Sequence, residues 1–175
     1  MHYTAFENKG DTMLTVFDSE TLIKVYKYLN KKCQAIDKFI KNHAYYFGYS
    51  AEEFSSVDVF NNIIELMNRK NQLINLKLIV DSAIERLDET DKKVIFLKMN
   101  YNISMKEFCG VLGFKQRTAF RRIERAFFNL TDAFNKSKYQ QKLLDIMQEE
   151  KWIDEIRQEV TERRLAYKLP EVNSL

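Results

Sequence analysis

Between Lys115 and Arg125 the chain sets positive charge at helical spacing. Arg117, Arg121 and Arg125 recur every four residues, Arg122 stands beside them, and Lys115 and Gln116 come just before. As a helix starting near Gln116, at ~100° per residue, Ala119, Ile123, Ala126, Phe127 and Leu130 share one apolar face. Arg117, Arg121 and Arg125 fall on the opposite face, with Thr118 and Glu124 at its flanks. Guanidinium groups offer paired N–H donors to phosphate oxygens and to base edges, so the chemistry available is recognition of a polyanion. Catalysis finds no comparable support. There is no P-loop, GxSxG or HExxH, and neither His2 nor His43 stands near a candidate nucleophile. Cys33 and Cys109 occupy apolar positions of helical patterns with no CxxC or Cys/His cluster, and are expected to be reduced core residues. No catalytic residue, metal or cofactor is expected, and Glu149 and Glu150 read as solvated helix surface.

The charge is local. Residues 1–89 carry 11 basic and 13 acidic side chains, residues 90–136 carry 10 and 4, and residues 137–175 carry 7 and 8. A net charge of +3 is therefore made of −2, +6 and −1 along the chain. Such asymmetry points to an anion-binding face in the middle segment, although a solvated basic helix would have the same composition.

The elements that must hold this face are helices. Four Gly and one Pro in 175 residues leave too few turns for a sandwich or barrel, so the fold class is all-α. Leu22, Tyr26, Leu29, Cys33, Ile36, Ile40, His43 and Phe47 alternate spacings of four and three, predicting a helix over about 18–47 with a continuous packing stripe. Lys24, Lys27, Lys31, Lys32, Lys38 and Lys41 lie mostly off that stripe, on a solvated face. Gly48 can close the helix, Ser50 with Glu53 matches a capping box, and Tyr45, Tyr46, Phe47, Tyr49 and Phe54 suggest a packed aromatic corner. Ile63, Leu66, Leu73, Leu76, Val80, Ile84 and Leu87 mark a second long helix over about 57–87, antiparallel to the first.

Glu89, Thr90 and Asp91 suit the first turn of a helix over 91–99, and Ser104 with Glu107 forms a capping box for another over about 105–111. Gly113 supplies a positive φ for the turn before Gln116. Leu143, Ile146, Ile153, Ile156 and Val160 predict one final amphipathic helix, capped near Ser137 and Gln140. The organisation is an N-terminal hairpin for interaction or dimerisation (1–86), a helix-turn-helix (87–136), and a C-terminal helix with a frayed tail (137–175). No run of ~18 apolar residues and no signal-peptide pattern at the N-terminus occur, so no membrane contact and a cytoplasmic location are expected.

LDETDKKVIFLKMNYNISMKEFCGVLGFKQRTAFRRIERAFFNL, residues 87–130, resembles region 4 of bacterial sigma-70-type transcription factors. The matching elements are the leucine–acidic lead-in, VIFLK, Ser104 with Glu107, Leu112-Gly113, Thr118 and the RRIERA run at 121–126. With IDKFI and the long second helix ahead of it, the chain resembles the small sigma-like regulators of phages and mobile elements of Gram-positive bacteria. Lys115 stands where that family usually has a small hydroxyl cap, and Ala119 replaces a β-branched residue.

The resemblance implies that Gln116, Arg117 and Arg121 reach base edges in the major groove of double-stranded DNA from a recognition helix over about 116–133. It further implies that Lys115, Thr118, Arg122 and Arg125 hold phosphates, with Ser104 and Lys106 contacting the backbone from the first helix. A sequence-specific transcriptional regulator follows. One recognition helix offers few contacts, so homodimerisation or docking on RNA polymerase is expected alongside. A helical adaptor that does not bind DNA and a minimal sigma factor are the alternatives.

Overall fold

Thr15 and Asp18 begin the first helix by capping each other. The Asp18 carboxylate accepts from the Thr15 backbone N–H and hydroxyl, both at 2.7 Å, while the Thr15 hydroxyl accepts from the Asp18 N–H at 3.3 Å. The computed structural model describes residues 13–47, 56–99 and 103–168. They form α1 (Val16–Phe47), α2 (Ser56–Glu85), α3 (Glu89–Met99), α4 (Met105–Leu112), α5 (Gln116–Asn135), α6 (Gln140–Glu149) and α7 (Lys151–Lys168), an all-α fold.

α1 and α2 are an antiparallel hairpin whose cross-links climb one helix while descending the other. Tyr26 donates to Asp81 (2.6 Å), Lys77 to Asn30 (3.2 Å) and Lys70 to Asp37 (2.6 Å). Between them Leu22, Leu29 and Ile36 pack with Leu73, Leu76 and Val80, all buried. The expected α1 stripe holds as far as Ile40. His43 is exposed instead of packed, with its ring 6.0 Å from that of Phe39, because among the described residues no element covers that part of α1. Tyr45 is exposed as well. The side chains of Tyr46, Phe47, Tyr49 and Phe54, the expected closure at Gly48 and the Ser50–Glu53 cap lie outside the described residues.

The C-terminal segment differs from the single helix expected. It breaks at Glu150 (φ −94, ψ 91) into α6 and α7, with Tyr139 rather than Ser137 at the N-cap of α6. The carboxylate of Glu150 is nearly inaccessible. It accepts from Arg69 Nε (2.7 Å) and Nη2 (2.8 Å) and from the Trp152 indole N–H (2.6 Å). Glu150 is therefore a buried anchor on α2, and Glu149 accepts from Gln72 of α2 at 2.7 Å. α7 then turns back along α1. Arg157 pairs with Asp18 (2.8 Å), Arg164 donates to Glu20 (3.0 Å), Lys24 meets Glu159 (3.6 Å), and Lys32 lies over the Trp152 ring (4.8 Å). Part of the lysine-rich side of α1 is thus covered by α7 instead of facing water.

One hydrophobic cluster runs through all seven helices. The start of α1 also grips the second half of α5. Ser19 and Thr131 hydroxyls are hydrogen-bonded at 2.7 Å in the interior, and the Asn135 amide exchanges two bonds with the Leu14 backbone at 2.9 and 3.0 Å. Cys33 and Cys109 are free thiols, each half-buried against this cluster, and burial pushes the Cys33 thiol up.

Candidate nucleic-acid interface

Ser104 opens α4 with extended backbone (φ −66, ψ 157), and its hydroxyl accepts from the Glu107 N–H at 3.2 Å. Glu107 replies by accepting from the Ser104 N–H at 2.8 Å, which completes the capping box and holds the Glu107 carboxyl below its usual range. At the other end Gly113 takes φ 67 and ψ 24, the left-handed conformation expected of it, and the Gly113 and Phe114 N–H groups both bond the Cys109 carbonyl. A short helix, a tight turn through Lys115 and the twenty residues of α5 follow one another, with the boundaries the sequence predicts to within a residue at α4 and at the start of α5.

α5 is held on every side but one. Ala119, Ala126, Leu130 and Phe134 are fully buried, with Ile123 and Phe127 nearly so. From α3, the fully buried Asp91 accepts from the Asn129 side-chain amide at 2.6 Å, fixing the rotation of α5 about its axis. The face left open carries Lys115, Gln116, Arg117, Thr118, Arg121 and Arg125, all exposed, and the half-buried Arg122. Ser104 and Lys106 are exposed on α4, although the Ser104 hydroxyl is already engaged with Glu107.

The electrostatics of this face are unusual within the molecule. Among the described residues no carboxylate pairs with Arg117, Arg121, Arg122 or Arg125, whereas of the arginines elsewhere Arg69, Arg157, Arg163 and Arg164 each hold one and Arg86 does not. Other basic residues of the middle segment stand aside. Lys92 is engaged with Glu85 and Glu89, Lys136 with Asp132, and Lys98 is partly buried over the Phe108 ring, with its ammonium pushed down by desolvation. Helices normally favour acidic residues in the first turn. α3 has Glu89 and Asp91 there and α4 has Glu107, but α5, like α6, has none, and its N-cap Lys115 supplies no side-chain acceptor. Positive charge beside unpaired N–H groups costs ~0.3–1 kcal/mol per residue, a cost that a bound anion reverses.

Sequence reasoning overlooked two aromatics here. Phe120 is 51% exposed and Phe128 64% exposed. Phe128 follows Arg117 by eleven residues and Arg121 by seven, which puts it on the same line along the helix. That spacing was the available signal for Phe128.

No family model matches the chain, and neither a curated protein nor a solved structure matches it.

Proposed function

We propose that the chain is a sequence-specific DNA-binding transcriptional regulator acting in the cytoplasm, with α5 lying in the major groove as the resemblance to sigma region 4 implies. The observation that carries this reading is the open face of α5, where four arginines over the first three turns lack carboxylate partners and the first turn holds no acid. Gln116, Arg117 and Arg121 read base edges, and Lys106, Lys115, Thr118, Arg122 and Arg125 neutralise or bond phosphates. Ser104, whose hydroxyl and N–H are both engaged with Glu107, holds the start of α4 in place beside Lys106.

The test is an electrophoretic mobility shift at graded ionic strength, with a site selected from random duplex DNA. Four basic side chains on phosphates, Lys106, Lys115, Arg122 and Arg125, predict a slope of log affinity against log salt of about −3.6, or roughly a hundredfold loss between about 50 and 200 mM. Selection of no site, or binding insensitive to salt, sinks the proposal. Docking on RNA polymerase is the second reading. It is favoured by Phe96, which is 55% exposed on α3 beside the exposed Lys93. Retention of purified polymerase by the immobilised chain, and its loss in Phe96→Ala, would support that reading.

A further inference from the structure

α2 has two apolar faces. One packs on α1 through Leu73, Leu76, Val80 and Ile84. The other carries Val57, Phe60, Ile64, Met67, Ile74 and Leu78, each between 40 and 63% exposed. Their spacings alternate three and four except for one gap, which is filled on the same pattern by Asn71, also exposed. In heptad terms Val57, Ile64, Asn71 and Leu78 are a positions, and Phe60, Met67 and Ile74 are d positions. At ~100° per residue this stripe points nearly opposite to Leu73, Val80 and Ile84. It also points away from α6, which meets α2 through Arg69 and Gln72.

We propose that this face is a self-association surface on which α2 pairs in parallel with α2 of a second copy of the chain. The area is sufficient. The six residues expose about three whole residues' worth of surface, on the order of 600 Å² in one copy. Two copies cover about 1,200 Å², more than the ~1,000 Å² that a specific interface needs.

The chemistry chooses both the occupant and the direction. A three–four repeat is self-complementary, because side chains of one stripe fill the gaps of an identical one, and a single polar residue at an a position, here Asn71, is the device by which such a stripe selects register and number of strands. In a parallel pair the two Asn71 side chains meet in one layer and hydrogen-bond each other. In an antiparallel pair a positions meet d positions, so each Asn71 would face Met67 or Phe60 with its amide unsatisfied. Charge does not oppose the pairing. The e positions are Asn61, Asn68 and Asn75, and on the g side Lys70 is neutralised by Asp37 while Lys77 donates to Asn30. A parallel pair brings the C-terminal ends of both α2 helices together, so the two α5 faces lie at the same end of the assembly.

The test uses the full chain without DNA, so that its outcome is independent of the DNA-binding proposal. Sedimentation velocity at micromolar concentration is expected to show a dimer, and the double substitution Ile64→Glu/Met67→Glu is expected to weaken it about a hundredfold or more with unchanged helicity. Leu78→Lys, nearer the root of the stripe, gives the same result and decides the matter if the double variant loses helicity. Mild oxidation of Asn71→Cys yields a covalent dimer that the unsubstituted chain, with Cys33 and Cys109, does not form. A monomeric unsubstituted chain, or a dimer indifferent to these substitutions, overturns the surface. A dimer that they disrupt but that Asn71→Cys fails to cross-link overturns the parallel arrangement.

Discussion

Arg69 and Glu150, 81 residues apart, meet in a two-point ion pair that ties the middle of α2 to the break between α6 and α7. Burial alone would raise the Glu150 carboxyl, but the two guanidinium N–H donors and the Trp152 indole outweigh it and hold the group below its usual value. The same contact explains why the chain leaves its helical path there. An unbroken helix would carry Glu150 on round with its neighbours, whereas the break lets it point into the interior.

Replacing Glu150 by Gln should cost about 1–3 kcal/mol at neutral pH, read as a lower urea midpoint. Because the folded value is depressed, the ion pair contributes fully above the unfolded value of about 4.3 and is lost as pH falls through the folded one. The gap between the unsubstituted chain and Glu150→Gln should therefore narrow in acid. A gap that stays constant down to strongly acidic pH would contradict this assignment.

Gly113→Val should destabilise the chain by about 1–2 kcal/mol. The cause is backbone strain at φ 67, since a Cβ at this position meets nothing within 4 Å. Gly110, which has open space and ordinary helical φ, serves as the control: Gly110→Ala should leave the denaturation midpoint unchanged or raise it.

Asp91→Ala removes a fully buried acceptor and leaves the Asn129 amide without its partner. A loss of about 1–3 kcal/mol is expected in thermal or urea unfolding. If α5 is the reading helix, Asp91→Asn, which preserves an acceptor, should retain DNA affinity better than Asp91→Ala. Equal behaviour of the two would mean that this contact does not set the orientation of α5.

Arg121→Ala should cost about 1–3 kcal/mol of binding to a selected site and relax base preference at one position. Gel shifts on selected and random duplexes separate the possibilities. Equal losses on both would show that Arg121 touches only phosphate.

Helix positions were legible wherever a local signal coincided with the tertiary demand. Leu22 to Ile40 repeats at coiled-coil spacing because it meets a straight partner, and Ser104, Glu107 and Gly113 carry their cap and turn chemistry in their own side chains or lack of one. The break at Glu150 was hidden, since QEEKW contains no Gly or Pro and the helix ends there for a partner on α2. Asp91 and Asn129 were hidden for the same reason, as neither has meaning until α3 and α5 are brought together. The second stripe of α2 was masked by the first, because two apolar faces on one helix blur the periodicity by which either would be recognised.

The hairpin core thins along its length. Near the root Leu22, Leu29, Leu73, Leu76 and Val80 are at most 1% exposed, while towards the far end Ile40, Ile63 and Leu66 are only half-buried. Amide hydrogens in α1 and α2 should then exchange with solvent on a graded timescale, slowest beside Leu22 and Val80 and faster towards Ile40 and Ile63, as local openings propagate inward from the thin end. Partner-induced protection would appear first at that thin end, where intrinsic opening is cheapest. Uniform exchange rates along both helices at high dilution would show instead that they open only when the whole molecule unfolds.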